Sequence, residues 1–152
     1  MSDLGAHVVI LGAGHAGGTA AALLRQYGHT DKITLVGEEP IPPYQRPPLS
    51  KAWLKGEADA ESLALRPLEF YSENDITFHS STRAVRIHRA DKLIDCADGW
   101  VIPYDTLVIA TGAVPTVPPL AGADAEGVFG VQSLEQGEEI VKDPNTASEL
   151  TA

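Results

Sequence analysis

The sequence predicts an α/β fold, in which a parallel sheet is wound with helices and carries an antiparallel β-meander. Three observations predict it. An apolar run, Val8-Val9-Ile10-Leu11, leads directly into Gly12-Ala13-Gly14-His15-Ala16-Gly17. A helical repeat and a second apolar run follow, completing a βαβ unit. Much later, Thr106-Leu107-Val108-Ile109-Ala110-Thr111-Gly112 is apolar without alternation, the pattern of a strand buried on both faces of a parallel sheet.

Val8 to Leu11 is the first predicted strand, and the three glycines after it have separate tasks. Gly12 permits a tight turn, Gly14 lets backbone approach a pyrophosphate, and Gly17 lets helix and strand pack closely. The helix start adds unpaired N–H groups and a dipole that favours negative phosphate. Ala20, Leu23, Leu24 and Tyr27 recur at helical spacing, with Gly28 as the stop. Lys32-Ile33-Thr34-Leu35-Val36 is the second strand, closed by Gly37 and Glu38. Glu38 stands 21 residues after Gly17, close to the distance at which an acid meets the hydroxyls of an adenosine ribose. A carboxylate there accepts both hydroxyl hydrogens and repels a 2′-phosphate. Glu38 and Glu39 also read as solvated turn residues. The ordered succession of strand, turn, helix, strand and acid favours binding.

Pro40-Ile41-Pro42-Pro43-Tyr44-Gln45-Arg46-Pro47-Pro48-Leu49-Ser50-Lys51 comes next. Five prolines in nine positions stiffen the backbone and predict an extended, shaped connection. Ser50 is a candidate cap for a helix over 51–54. Arg46 and Lys51 place two cations beside the proposed polyphosphate site. On the residues alone, a solvated proline-rich loop and a binding loop are equally good readings. Ile76 to His79 reads as a further strand. Ala84 to Arg89, Lys92 to Cys96 and Val101-Ile102 form the meander, with Asp98-Gly99 as a turn. Ala110, Thr111 and Gly112 end the last strand in small residues that let backbone approach a cofactor.

The 152 residues suit one domain with a real core. A net charge of −10 and the lack of a basic stripe argue against a nucleic-acid partner. Cys96 is the single cysteine, so an internal disulfide framework and a Cys-x-x-Cys redox pair are excluded. Reducing, cytoplasmic conditions fit that usage. From Gly5 to Leu24 there is no charged residue, but Asp3 stands where a leader carries a cation. Gly12, Gly14, His15, Gly17 and Gly18 interrupt the stretch, so neither a targeting segment nor a membrane span is expected. His7, His15, His29, His79 and His88 form no metal-ligand spacing, so no metal is expected. Hydrolase and phosphate-loop signatures are absent.

Taken together, these residues resemble the FAD-dependent ferredoxin reductases of bacterial oxygenase systems, to which the putidaredoxin and rubredoxin reductases belong and apoptosis-inducing factor is related. The resemblance is carried by the turn from Gly12 to Gly17, Val36-Gly37-Glu38-Glu39-Pro40, Tyr44 to Lys51, and Tyr104 to Gly112. The string Arg46-Pro47-Pro48-Leu49-Ser50-Lys51 is the most specific of these, and it favours the binding reading of the proline loop. The resemblance runs from about Val8 to about Glu135 and implies a Rossmann-like FAD-binding domain. It implies that Gly12, Gly14, His15, Ala16 and Gly17 surround the pyrophosphate and that Glu38 holds the adenosine ribose. Arg46 would lie against the adenosine diphosphate portion. Pro47 and Pro48 would pack on the flavin ring, with Lys51 at its reactive edge as the catalytic cation. Backbone at Ala84 would meet adenine, and Ala110, Thr111 and Gly112 would close over the cofactor. NADH is the implied hydride donor, and a ferredoxin- or rubredoxin-like iron–sulfur protein the implied electron acceptor.

Members of that family are far longer. No second glycine fingerprint for NADH follows Gly112, and Gln132 stands where the family segment usually carries Arg. Residues 1–139 are therefore expected to form an incomplete FAD-binding domain, and residues 140–152 a polar, poorly ordered tail. The implied function is the FAD-binding segment of a reductase, not fully competent by itself. The alternatives are a non-catalytic adenine-dinucleotide binder, or one half of a split reductase completed by a second polypeptide.

Overall fold

In chain order the regular elements begin with β1 (His7–Leu11), α1 (His15–Gln26) and β2 (Lys32–Val36), then a short 3-10 helix over Pro47–Ser50. Next come α2 (Ala60–Leu63), α3 (Leu68–Glu73), β3 (Ile76–His79), β4 (Ala84–His88), β5 (Leu93–Cys96) and β6 (Val101–Pro103). β7 (Thr106–Ile109) and α4 (Leu134–Lys142) complete the set. This computed structural model describes residues 6–143. Asp3, which weighs against a leader, and residues 144–152 of the expected tail lie outside the described residues. The described chain forms two compact units, residues 6–44 with 64–112, and residues 45–63 with 113–143.

The first unit is built on a four-stranded parallel sheet of order β3-β2-β1-β7. Alternate residues serve its two faces. Val8, Ile10, Ile33, Leu35 and Ile76 pack with Ala21 of α1 and Tyr71 of α3. Val9, Leu11 and Val36 point the other way, onto Ile94, Cys96 and Ile102 of the antiparallel β4-β5-β6 meander. Helices, sheet and meander thus make three layers. Being covered on both sides, β1 and β2 are buried from Val8 to Leu11 and from Ile33 to Val36, and all of these residues but Thr34 are apolar, as in a buried parallel sheet. The turn between β5 and β6 closes with Trp100 N donating to Asp98 Oδ1 at 2.9 Å and Gly99 at φ 88°.

The expected double-faced burial of the last strand is corrected. β7 is only half-buried, and Ile109 is 63% exposed. It lies at the sheet edge among the described residues, where the covering layers reach it incompletely.

At the end of the sheet where β2 begins, Arg25 acts as a staple. Its Nε donates to Asn74 O at 2.8 Å and its Nη1 to His29 O at 2.6 Å. Nη1 also donates to Asp31 O at 2.7 Å, and Nη2 to Asp75 O at 2.8 Å. One guanidinium thereby joins the end of α1, the entry to β2 and the turn between α3 and β3.

In the second unit the expected helix over 51–54 is corrected. Pro47 and Pro48 open a 3-10 helix that Ser50 ends rather than caps, and irregular turns follow. Fixed proline φ angles suit the first positions of a helix, so the prolines begin helical structure here instead of holding the whole segment extended. Lys55 N and Gly56 N then donate to Lys51 O and Trp53 O, and Glu57 N to Ala52 O, a mixed pattern that builds no continuing helix. α4 starts with a capping box: Gln136 N donates to Ser133 Oγ at 3.3 Å, and Ser133 N donates to Gln136 Oε1 at 3.2 Å. Its Gly137 lies so close to Trp53 that an added Cβ would meet Nε1 at 2.9 Å. α4 runs to Lys142, so residues 140–142 of the expected tail are helical.

Candidate functional site

The site is built where β1 and β2 end. Gly12, directly after β1, has φ 106°, donates its N–H to Val36 O at 2.8 Å, and an added Cβ would strike the carbonyl of Ala110. Ala110 N in turn donates to Leu11 O at 2.7 Å, so the glycine turn is locked against the segment leaving β7. Gly17 lies in the first turn of α1, where a Cβ would collide with the Gly12 carbonyl and come within 3.3 Å of Ile10 Cγ2. Both glycines are there for packing.

Gly14 differs. It is the N-cap residue of α1 at φ −86°, and an added Cβ would find nothing within 4 Å. The first helical bond runs from Gly18 N to Gly14 O at 3.0 Å, which leaves the N–H groups ahead of it without acceptors in the helix. No acidic side chain stands in that first turn, and His15 and Ala16 are exposed. Open space, unpaired donors and the positive end of a helix dipole converge at one place, an arrangement suited to phosphate.

Glu38 is brought beside this turn because Gly37 packs on Ala13, with an added Cβ only 2.5 Å from Ala13 Cβ. The connection from β3 to β4 is laid along the same segment. Thr82 N donates to Gly37 O at 2.8 Å and Ser81 N to Glu39 O at 3.2 Å. This puts Arg83 Nη1 3.1 Å from Glu38 Oε1, both side chains being exposed. Ala84 follows as the first residue of β4, half-buried. Thr111 and Gly112 are exposed, and Gly112 has φ 75°.

The first unit thus brings together Gly12, Gly14, His15, Ala16, Gly17, Glu38 and Ala110, with Ala84, Thr111 and Gly112 in the segments that adjoin them. Arg46, Pro47 and Lys51 belong to the second unit. There the Arg46 guanidinium donates to the Gln132 carbonyl, while the Gln132 amide donates to Ala113 O at 2.6 Å. Pro47 and Lys51 are exposed.

Two contributors escaped the sequence reading. Gly18 faces Pro43, whose Cβ would lie 2.6 Å from an added Cβ, and Arg83 reaches Glu38 across 45 residues. Neither carries a local pattern; only the packing of distant segments reveals them.

Desolvation holds His79 below its ordinary pKa, and Lys32 lowers it further. His79 also packs its ring against Trp100 at 4.3 Å between centroids. Burial pushes the Cys96 thiol up, reinforced by Asp98 and Asp95, so this single thiol is a poor nucleophile. Among the described residues no three His, Cys, Asp or Glu side chains converge as metal ligands, and no helix is long and apolar enough to cross a membrane.

Residues 6–148 match the sequence profile of the pyridine nucleotide-disulphide oxidoreductases. The chain belongs to that family. Within it, the chain is 42% identical over 143 residues to rhodocoxin reductase of Rhodococcus erythropolis, covering 94% of this chain and 34% of that protein. A ferredoxin reductase from Rhodopseudomonas palustris superposes with a TM-score of 0.81 at 39% identity, covering 89% of this chain and 33% of that one. The reductase in a covalent putidaredoxin reductase–putidaredoxin complex gives a TM-score of 0.76 at 37% identity, with coverages of 87% and 32%. The chain therefore spans about a third of the length of the relatives it matches. Its α/β architecture, a parallel sheet with a meander, is the Rossmann-like fold of these pyridine nucleotide-disulphide oxidoreductases.

Proposed function

We propose that this chain is the FAD-binding segment of an NADH-dependent ferredoxin reductase, and that the turn after β1 receives the cofactor's pyrophosphate. One observation carries the reading: of the three fingerprint glycines, two are closed by packing while Gly14 alone opens onto empty space at a helix start free of acidic residues. Glu38, next to that turn, accepts the ribose hydroxyls. Backbone at Ala84 meets adenine, and Ala110 to Gly112 close over the cofactor. Arg46 offsets phosphate charge, and Pro47 packs on the ring.

Bound FAD supplies hydride acceptance and single-electron release. Lys51 is the catalytic cation, since a fixed ammonium beside the flavin stabilises the negative charge that reduction adds. NADH as donor and a ferredoxin- or rubredoxin-like protein as acceptor follow from likeness to the rhodocoxin and putidaredoxin reductases. The single cysteine suits cytoplasmic conditions.

A second reading has its own support. The glycine turn, Glu38 and Ala84 all lie in the first unit, whereas Arg46, Pro47 and Lys51 belong to the second. A chain that binds adenine dinucleotides through the first unit alone needs no redox chemistry. Titration of the purified chain with FAD, NAD and ADP separates the two. A strong preference for FAD, with yellow protein after reconstitution, supports the flavin site, and equal affinity supports the simpler binder. No uptake of any of the three at high micromolar concentration refutes both.

A further inference from the structure

We propose that Arg83 is the positioning residue of the adenosine subsite: it holds the Glu38 carboxylate ready for the ribose and makes the site select an unmodified 2′-hydroxyl. The inference rests on the dinucleotide reading of the turn after β1. Its own basis is the ion pair between Arg83 Nη1 and Glu38 Oε1 at 3.1 Å.

The backbone around this pair is fixed from three sides. Thr82 N donates to Gly37 O at 2.8 Å and Ser81 N to Glu39 O at 3.2 Å, so the two segments run together. Ala97 N donates to Arg83 O at 2.9 Å, which ties Arg83 to the meander. A guanidinium on so firm a base is a good anchor. Glu38, by contrast, is an exposed side chain with three torsions, and by itself it would lose rotamer freedom when a ligand is bound. Arg83 removes part of that freedom beforehand. It takes one carboxylate oxygen, Oε1, and leaves Oε2 as the acceptor for a ribose hydroxyl.

Charge sets the selectivity. An exposed ion pair contributes little in water, but a ligand that covers it lowers the local dielectric and strengthens it. The Arg83 charge is already engaged by Glu38, so a 2′-phosphate would face the carboxylate and have to compete with it for that guanidinium. A 2′-deoxyribose would leave the covered Oε2 without a donor.

Calorimetric titration of the full chain with ADP, 2′-deoxy-ADP and 2′,5′-ADP tests this. ADP is expected to bind about tenfold more tightly than 2′-deoxy-ADP, the scale of one hydrogen bond to a charged group. 2′,5′-ADP should bind more weakly than ADP. In Arg83→Ala the ratio between ADP and 2′-deoxy-ADP should shrink about threefold with little change in thermal midpoint, as for a surface substitution. Arg83→Lys should recover most of it, and Glu38→Gln should flatten the ratio. An unchanged ratio in Arg83→Ala overturns the proposal, as does tighter binding of 2′,5′-ADP than of ADP, which would make Arg83 a phosphate reader. Failure of all three nucleotides and of FAD to bind the unaltered chain would instead overturn the underlying dinucleotide reading, and this proposal with it.

Discussion

Gly14→Ala separates binding from packing in the glycine turn. The added methyl enters space with no heavy atom within 4 Å, at φ −86° and ψ −165°, a conformation open to any L-residue. At an N-cap, alanine is about 0.5–1 kcal/mol less favourable than glycine. Reduced freedom of the unfolded chain offsets about 0.4–1 kcal/mol of that. The net change is within ~1 kcal/mol, a shift of about 2–4 °C in melting temperature at this chain length. Gly17→Ala is the control, because its methyl runs into the Gly12 carbonyl, a backbone atom that cannot turn aside. Forcing helix and strand apart there should cost about 3 kcal/mol.

Binding should respond in the opposite order. A methyl between the helix-start amides and a phosphate lengthens charge-assisted hydrogen bonds, and a tenfold weaker FAD affinity corresponds to about 1.4 kcal/mol. At FAD set to about 100 times the unaltered dissociation constant, ligand stabilisation should fall from about 2.7 to about 1.4 kcal/mol in Gly14→Ala. Circular-dichroism melting with and without FAD, beside flavin fluorescence titration, reads both quantities. The reasoning is refuted if Gly14→Ala melts as low as Gly17→Ala, or if it binds FAD as tightly as the unaltered chain.

Arg25→Ala should lower stability by about 2–4 kcal/mol in urea denaturation, because four donated bonds vanish together, while Arg25→Lys recovers less than half for lack of a planar fork. Tyr71→Phe should be neutral or stabilising by up to ~1 kcal/mol, since the buried hydroxyl has no hydrogen-bond partner among the described residues. Burial also pushes that phenol up to about 12, so the stability it contributes is complete below pH 10 and lost as pH rises through about 12. The Phe variant should show a flatter alkaline limb in a pH series. His7 and His79 both sit below 6.5, chiefly through desolvation and then through Lys32, with Asp105 partly opposing the shift at His7. Folded protein therefore binds fewer protons than unfolded chain, and stability present above pH 6.5 declines as pH falls through the lowered values. Melting temperatures from pH 7.5 to 5 should fall less steeply in His79→Gln.

The sequence by itself determined the βαβ unit and the meander, because strand period, helix period and turn glycines are local signals. β2 matches its expected residues throughout, and β1 differs by one residue. The packing task of Gly17 was also legible, since the Gly12 carbonyl that closes it lies five residues away, whereas the Ala110 carbonyl that closes Gly12 comes from a distant strand end. Only the tertiary structure decided that β7 lies half-covered at the sheet edge, because an apolar strand carries no mark of its neighbours. Short helices such as α2 and α3 were missed for a related reason: four and six residues are too few to show a period, and packing rather than propensity stabilises them. The same holds for Arg83 at Glu38 and for Arg25 under the sheet. A long cation looks alike at any exposed position along a chain, and its partner is chosen by where folding brings remote backbone, which no spacing encodes.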